Sequence, residues 1–171
     1  PSAEPQPPTL RILTYNIHHG EGEDGVFDYE RLAGVINSTN PDLVALQEVD
    51  RATGRSSGVD QAAVLGELTG MNHYFAQAMP YSGGGYGEAV LSRFPIDEAW
   101  TVNLTCEPGQ EPRAVAAIRV RPLGDAGPQL VFAGTHLCHQ AADTRLQQAR
   151  EINEAFPKVH DRVILAGDMN C

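Results

Sequence analysis

The sequence predicts a single α/β domain. In its first half, short apolar runs typical of strands alternate with patterns typical of helices. In its second half several strand-like runs follow one another, before one long helix and a last apolar run. With 42% hydrophobic and 20% charged residues, the 171-residue chain has an ordinary globular composition, which excludes a disordered, collagen-like or coiled-coil protein. No apolar stretch approaches the roughly 18 residues of a membrane-spanning helix.

The amino-terminal tail differs from the rest of the chain. Residues 1–9 include four prolines and no helix or strand pattern, so we expect a Pro-rich linker ahead of a domain over residues 10–171. The chain begins with Pro instead of Met, as it would after removal of a signal peptide, and we therefore expect an exported protein, secreted or periplasmic. A chain trimmed in another way would begin similarly, and the cytoplasm is the alternative location.

Strands and helices alternate in the first half. Asp28 is suited to cap a helix in which Tyr29, Leu32 and Ile36 share one face at spacings of three and four residues. A second helix ends at Gly70, a residue type favoured just after helices. The predicted elements are a strand over 10–15, a helix from 29 to about 40, a buried strand over 43–46 and a helix over 60–69.

The second half is predicted to be rich in strands. Its candidate strands cover residues 73–78, 89–92, 98–104, 115–121 and 129–135. A helix over 142–156 carries an apolar face and is stopped by Pro157. That face consists of Ala142, Leu146, Ala149, Ile152 and Phe156. The apolar run 162–166 predicts a last, buried strand, and the Gly-rich stretch 82–85 predicts a flexible loop at the entrance to a substrate site.

Five polar residues directly follow apolar, strand-like runs. They are Asn16, Glu48, His136, Asp168 and Asn170. Each by itself is better explained as a turn or capping residue. Ligand-binding groups of α/β proteins, however, converge at the rim beyond the strand ends, so five such residues together predict one site.

The residue types of this set suit metal-assisted phosphoryl transfer. A carboxylate such as Glu48 suits a hard cation like Mg²⁺, which takes few protein carboxylates and keeps several waters. Asn16 and Asn170 orient a ligand without adding charge. Asp168 is a candidate general base for an attacking water, and His136 a candidate donor to a phosphate oxygen on which charge develops.

Five ordered segments resemble the signature motifs of a known superfamily. Residues 14–17 (TYNI), 46–50 (LQEVD), 86–93 (YGEAVLSR), 134–137 (GTHL) and 165–170 (LAGDMN) are similar to those of the endonuclease/exonuclease/phosphatase (DNase I-like) superfamily. The resemblance implies a four-layer α/β/β/α sandwich of two packed mixed sheets. It also implies a divalent-metal-dependent phosphoester hydrolase, with Mg²⁺ as the expected ion and Mn²⁺ or Ca²⁺ as alternatives.

The resemblance also implies roles for individual residues. Glu48 and Asn16 match the metal-binding pair, and His136 matches a histidine that contacts the scissile phosphate. Asp168 and Asn170 match the pair that orients the attacking water and the phosphate. A looser match makes Arg113 and Tyr86 candidate substrate-binding residues, with a surface salt bridge as the alternative for Arg113. Arg93 is expected to be structural.

Three departures from the superfamily pattern stand out. Glu88 occupies a position where many relatives have Asn, and it would add negative charge or a metal ligand if it faced the cleft. Cys138 stands where Asp is common, with His139 as a partial replacement. Relatives also end with further strands and a Ser-Asp-His motif, so we expect residues 10–171 to be the amino-terminal portion of the fold. A second chain or an omitted segment is then expected to supply the final strands.

Two segments allow two interpretations each. The loop of His18 and His19 with its neighbouring carboxylates is either an accessory metal site or, by preference, an exposed acidic loop. Asp60 either caps the second helix or lies near the site. The three cysteines, Cys106, Cys138 and Cys171, are expected to be free thiols in preference to a structural disulfide, and no zinc-site spacing is present.

Charge and composition narrow the choice of substrate. The formal net charge is −10, and the only lysine is Lys158, which argues against a surface that grips duplex nucleic acid. A small or lipid-derived phosphoester is therefore favoured, such as a phospholipid or phosphoinositide headgroup at a membrane surface. The alternatives are a Mg²⁺-dependent endonuclease or exonuclease and a binding protein that keeps the fold without turnover.

Overall fold

The computed structural model of the protein describes residues 9–156 and 162–171. The predicted linker residues 1–8 and the helix-stopping Pro157 lie outside the described residues. Two four-stranded mixed sheets pack face to face, with helices on the outer faces of both. The α/β class and the four-layer α/β/β/α arrangement are therefore confirmed.

The first sheet is built from the first half of the chain. Its strands are β1 (Ile12–Asn16), β2 (Leu43–Arg51), β3 (Asn72–Tyr81) and β4 (Gly84–Ser92), in the order β1-β2-β4-β3. β1 runs parallel to β2, and the other two pairs are antiparallel. The predicted loop 82–85 is shorter than expected. Ser82 and Gly83 form a two-residue hairpin turn with positive φ angles of 45° and 82°, the geometry that matches the twist of the flanking strands.

The second sheet has a similar layout. Its strands are β5 (Ile96–Leu104), β6 (Arg113–Val120), β7 (Leu130–His136) and β8 (Arg162–Asp168), in the order β5-β6-β7-β8. β7 and β8 are parallel, and the other pairs are antiparallel. The prediction that β8 is buried was wrong: Val163 and Leu165 are 40% and 38% exposed. β8 lies at the edge of its sheet, where only β7 pairs with it in the described part of the chain.

The first two helices follow their predicted boundaries. α1 spans Tyr29–Thr39 and α2 spans Gln61–Thr69. The Asp28 carboxylate accepts a hydrogen bond from Arg31 N at 2.9 Å, and Asp60 accepts one from Ala63 N at 3.1 Å. Asp60 therefore caps α2, and it does not line the site described below.

The third helix, α3 (Ala142–Ala155), departs from its predicted apolar face. Leu146 is 53% exposed, whereas Gln148 is fully buried. The reason is hydrogen bonding: the Gln148 amide accepts from Cys138 N and donates to Thr105 O, both at 2.9 Å. The buried Gln148 amide, with both of these hydrogen bonds formed, fixes α3 against the second sheet. Periodicity alone had predicted that the helix face carrying Leu146 would be the buried one. None of the described helices is long and apolar enough to cross a membrane.

Close packing between the sheets positions the site. Their shared core includes Leu43, Val90, Ile118 and Phe132 together with several alanines. A Cβ at Gly134 of β7 would lie 2.9 Å from Val90 Cγ1 and 3.1 Å from Ala45 Cβ. The absence of a side chain there lets β7 approach the first sheet closely. Two residues later the same strand delivers His136 to the end of the sandwich.

Candidate active site

The predicted site residues converge in one cleft at the end of the sandwich. All seven of them line it, joined by two residues that were not predicted as site residues. The lining residues are Asn16, Glu48, Tyr86, Glu111, Arg113, His136, His139, Asp168 and Asn170. The cleft has a volume of about 280 Å³, near the lower end for small-molecule sites.

Strand topology explains why these residues meet. Asn16, His136 and Asp168 are the last residues of β1, β7 and β8. Parallel strands end at the same edge of a sheet, so the β7/β8 pair sets His136 directly opposite Asp168 in register. The close packing of the two sheets then brings these ends together with Asn16 of the first sheet.

Glu48 reaches the cleft in a different way from the one predicted. It does not follow the end of a strand, because β2 continues to Arg51. The register of β2 against β4 shifts between Leu46 and Val49, and Glu48 has a φ of 59°. This bulge turns the Glu48 side chain towards the cleft in the middle of a buried strand, a frequent function of bulges beside active sites. A non-glycine residue in the left-handed region costs roughly 1–2 kcal/mol, which the surrounding sheet must offset.

Asn16 holds the Glu48 carboxylate in place. Its Nδ2 donates to Glu48 Oε1 at 2.8 Å, and its Oδ1 accepts from the His18 backbone N–H at 3.0 Å. Because one partner accepts a hydrogen bond and the other donates one, the orientation of the Asn16 amide, oxygen against nitrogen, is defined. The second Glu48 oxygen and the second lone pair of Asn16 Oδ1 keep acceptor capacity for a cation.

Arg113 organises the opposite side of the cleft. It is only 2% exposed, so the surface salt bridge considered for it is excluded. Its Nη1 lies 2.6 Å from Glu111 Oε1 and 3.0 Å from His136 Nδ1, and its Nη2 lies 3.2 Å from His139 Nδ1. A guanidinium group can only donate, so Nδ1 of both histidines accepts. Neutral His136 therefore carries its hydrogen on Nε2.

The surroundings of His136 favour its neutral form. Burial lowers the pKa of His136, and the positive charge of Arg113 lowers it further, while Asp168 acts in the opposite sense. Protonation of Nδ1 would also replace an accepted hydrogen bond by a clash of two donors. A neutral imidazole with its Nε2–H in the cleft can donate to a developing oxyanion without first binding a proton.

This arrangement predicts a change in His136 when Arg113 is replaced. In Arg113→Met the pKa of His136 should rise towards its ordinary value of 6.5, because one of its two lowering influences is removed. The preference for the Nε2–H form should weaken at the same time. Both are measurable by ¹⁵N NMR of the imidazole during a pH titration.

The lowered pKa of His136 makes the stability of the native protein depend on pH. The unfolded chain gains a proton at His136 below a pH of about 6.5, whereas the native chain does so only at lower pH. This residue's contribution to stability is therefore present above pH 6.5 and falls as the pH drops towards the native pKa. Arg93→Met is the control, since Arg93 contacts Asn40 and Pro41 away from the cleft, as the structural role predicted for it requires. A His136 titration and tautomer unchanged in Arg113→Met would contradict the assigned geometry.

Asp168 and Asn170 complete the cleft from β8. Asp168 Oδ1 accepts from Asn170 N at 3.0 Å, and Asn170 Nδ2 donates to Leu137 O at 2.8 Å. Asp168 Oδ2 lies 3.7 Å from His136 Nε2, too far for a hydrogen bond. One Asp168 oxygen is thus anchored, and the other faces the cleft together with the His136 Nε2–H.

Tyr86 closes the cleft wall from β4. It is 6% exposed, and burial is the main cause that raises its pKa, so its hydroxyl stays protonated as a donor. The guanidinium of Arg55 lies 5.3 Å from the Tyr86 ring and 4.4 Å from the Tyr81 ring. Arg55 in turn forms two hydrogen bonds to the buried Asp50 carboxylate, at 2.8 and 2.9 Å. This pair supports the aromatic wall from behind.

Glu88 does not enter the cleft. It is fully buried, and neither of its carboxylate oxygens has a hydrogen-bond partner among the described residues. Burial raises the pKa of Glu88 well above its usual range, with nearby Arg113 opposing the shift. The Glu88 carboxyl group therefore lies beneath the site and supplies neither the extra charge nor the metal ligand that was considered for the cleft. The three cysteines are free, as expected.

The donor set fits a hard divalent cation. Glu48, Glu111 and Asp168 contribute carboxylates to one cleft, and Asn16 and Asn170 contribute amides. Oxygen donors of this kind suit Mg²⁺, Mn²⁺ and Ca²⁺. Each of these three carboxylates has one oxygen in a hydrogen bond, but that of Glu111 is paired with the positive charge of Arg113, so Glu48 and Asp168 are the better candidates for binding a cation. Glu111 and His139 were not predicted as site residues because their part in the cleft depends on the long-range position of Arg113.

Comparisons with known proteins identify one family. Residues 13–171 match the model of the Endonuclease/Exonuclease/phosphatase family. The chain is 26% identical over 175 residues to the uncharacterized protein YbhP of Escherichia coli K12, a match that covers 95% of this chain and 67% of that protein.

Solved structures show the same fold. The endonuclease/exonuclease/phosphatase from Beutenbergia cavernae superposes with a TM-score of 0.76 at 30% identity, covering 94% of this chain and 47% of that one. The chain thus spans about half the length of the Beutenbergia protein. The mannosyl-6-phosphatase Bt3783 of Bacteroides thetaiotaomicron superposes with a TM-score of 0.73 at 18% identity, covering 95% and 66% of the two chains, a likeness of fold alone.

Proposed function

Because the chain belongs to the endonuclease/exonuclease/phosphatase family, we propose that it is a divalent-metal-dependent phosphoester hydrolase acting on a small or lipid-derived substrate. Members of this family hydrolyse phosphoesters. The observation that carries the proposal is the pairing of a free Asp168 oxygen with the His136 Nε2–H across an open 3.7 Å. Hydrolysis of a phosphoester needs a base that takes a proton from the attacking water and, close to it, a donor that binds a phosphoryl oxygen.

The residues divide the chemistry between them. Asp168 Oδ2 accepts the proton of the attacking water while Asn170 holds the other oxygen still. His136 donates its Nε2 hydrogen to a nonbridging oxygen, and Arg113 keeps that hydrogen on Nε2. Tyr86 offers a further hydroxyl donor to the substrate. Glu48, oriented by Asn16, would hold a divalent ion, which when bound neutralises the charge of the phosphoryl group.

Charge pairing supports a small substrate over duplex nucleic acid. At least six arginines of the described chain form ion pairs with Asp or Glu. They are Arg31, Arg55, Arg93, Arg113, Arg119 and Arg121. Arginines already neutralised by carboxylates contribute little to contacts along a phosphate backbone, on which nuclease binding depends. With a net charge of −10, the chain therefore favours a compact headgroup such as that of a phospholipid or phosphoinositide.

A substrate panel tests this function. The purified protein is assayed with bis-p-nitrophenyl phosphate, p-nitrophenyl phosphate, phosphoinositide vesicles, plasmid DNA and RNA, each with Mg²⁺, Mn²⁺, Ca²⁺ or EDTA. We expect metal-dependent turnover of the soluble esters or the vesicles, lost in EDTA, and no cleavage of nucleic acid. Faster cleavage of DNA or RNA would favour the nuclease. No turnover of any substrate with any ion would favour the binding protein.

A further inference from the structure

A second group of metal-ligating side chains lies beside the cleft. One ligand atom from each of His18, His19 and Glu48 can be chosen so that all three lie within 4.8 Å of one another. We propose that these residues form a second cation site, specific for a transition-metal ion of the Zn²⁺ class, which shares the Glu48 carboxylate with the cleft. The proposal does not depend on the identity of the substrate.

His18 is held in the form that binds metals. Its Nδ1 lies 3.2 Å from the Glu21 backbone carbonyl oxygen. A carbonyl oxygen only accepts, so Nδ1 of His18 carries the hydrogen and Nε2 keeps its lone pair. Metal-binding histidines regularly donate their second ring nitrogen to a backbone carbonyl in this way.

His19 shows the second common arrangement. Its Nε2 lies 3.2 Å from the Glu21 Oε2 carboxylate oxygen, so Nε2 donates and Nδ1 is the free nitrogen. A carboxylate behind an imidazole orients the ring and raises its basicity as a ligand. Glu21 therefore supports both histidines, one through its backbone and one through its side chain, and leaves one unprotonated nitrogen on each ring.

The loop that carries the two histidines is held on both sides. The His18 backbone N–H donates to Asn16 Oδ1 at 3.0 Å, and Gln61 Nε2 donates to the His19 carbonyl oxygen at 2.6 Å. Gly20, with a φ of 86°, allows Gln61 this close approach, since a Cβ there would lie 2.7 Å from Gln61 Nε2. His18, Glu23 and Asp24 are exposed, as the loop interpretation expects, whereas the His19 side chain is only 14% exposed. The loop is therefore solvated on one side and packed beside the cleft on the other.

The ligand set points to the class of metal. Two imidazoles with one carboxylate suit Zn²⁺ and its neighbours, whereas Mg²⁺ strongly prefers oxygen. Asn16 uses only one Glu48 oxygen, so the other can serve a metal at this site. The same carboxylate thus connects an imidazole-rich site to an oxygen-rich one.

Metal binding to defined variants of the intact protein tests the proposal. Co²⁺ serves as the spectroscopic probe and Zn²⁺ is measured by calorimetry. We expect His18→Asn and His19→Asn each to weaken Zn²⁺ binding at least about tenfold, and the double variant at least about 100-fold, with loss of the Co²⁺ visible spectrum. Asparagine is chosen because it tolerates the positive φ of these two positions, 49° and 44°. Mg²⁺ affinity should stay unchanged.

Two controls separate this proposal from the proposed function. His73→Asn removes an exposed histidine on β3 and should leave Zn²⁺ and Co²⁺ binding intact. Asp168→Asn should lower turnover at least about 10²-fold, whereas the Zn²⁺ binding that depends on His18 and His19 should remain, so a failure of catalysis leaves the metal test valid. Glu21→Gln should weaken Zn²⁺ binding about tenfold, because it removes the charge behind His19.

Equal Zn²⁺ affinity and an unchanged Co²⁺ spectrum in the His18→Asn/His19→Asn double variant would exclude the site. Circular dichroism and thermal melting of each variant verify that the protein is folded. If the double variant did not fold, Glu21→Gln would decide, since retention of wild-type Zn²⁺ affinity in that variant would count against the site.

Discussion

Replacement of Asp168 by Asn is expected to lower turnover at least about 10²-fold while the fold is retained. The asparagine side chain keeps an oxygen that can accept from Asn170 N, as Asp168 Oδ1 does at 3.0 Å. What it loses is the basic oxygen that faces His136 Nε2 across 3.7 Å. Steady-state kinetics with the best substrate of the panel measure the effect, which should fall mainly on kcat.

Two further variants sharpen this prediction. Glu48→Gln should reduce turnover to a similar extent, with a higher metal concentration needed for half-maximal rate, because an amide binds a divalent cation more weakly than a carboxylate. Asp143→Asn, an exposed acid in the first turn of α3, is the matched control and should behave like the wild type. Wild-type turnover in both Asp168→Asn and Glu48→Gln would exclude the assigned roles of these residues.

Replacement of Arg55 by Met is expected to destabilise the protein by about 3 kcal/mol, which lowers the melting temperature by roughly 10 °C. Asp50 is fully buried, and Arg55 donates two hydrogen bonds to its carboxylate. Removal of Arg55 leaves the buried Asp50 carboxylate without its counter-ion. The hydrogen bond that Thr53 Oγ1 donates to Asp50 Oδ2 at 2.7 Å remains, but it does not neutralise the charge. Urea denaturation and thermal melting measure the loss.

A double variant tests the cause of that loss. In Asp50→Asn/Arg55→Met the buried charge is absent, so stability should recover in part relative to Arg55→Met alone. Arg31→Met breaks an ion pair with Asp24 that is about half exposed, and it should change stability little. Equal destabilisation by Arg55→Met and Arg31→Met would show that burial of Asp50 does not govern the effect.

Elements with strong local signals were predicted accurately. Asp28 and Asp60 cap α1 and α2 at the positions that the sequence indicates, because a capping carboxylate needs only the backbone of its own helix. The errors lie where distant groups decide. Gln148 is buried because Cys138 and Thr105 satisfy its amide, and Leu146 is exposed in consequence. No pattern within α3 contains that information.

In the candidate site, too, some features follow from the local sequence and others from contacts between distant elements. The residue types after the apolar runs identified five members of the cleft, since the carboxyl ends of strands are where such groups meet, and the family resemblance added Tyr86 and Arg113. The bulge that places Glu48 in mid-strand arises from the pairing of β2 with β4. The hydrogen-bonded state of His136 arises from Arg113, 23 residues away in the chain. Both depend on contacts between elements.

The sequence by itself determined the α/β class, the positions of the helices and seven of the nine residues that line the cleft, because periodicity, capping, strand ends and motifs are local properties. Only the tertiary structure decided that Arg113 is a buried organiser, that Glu88 is buried beneath the cleft, and that His18 and His19 stand beside Glu48. These features depend on burial and on the partner of each ring nitrogen or carboxylate. Burial and hydrogen-bond partners are settled only when two sheets and their loops are packed together.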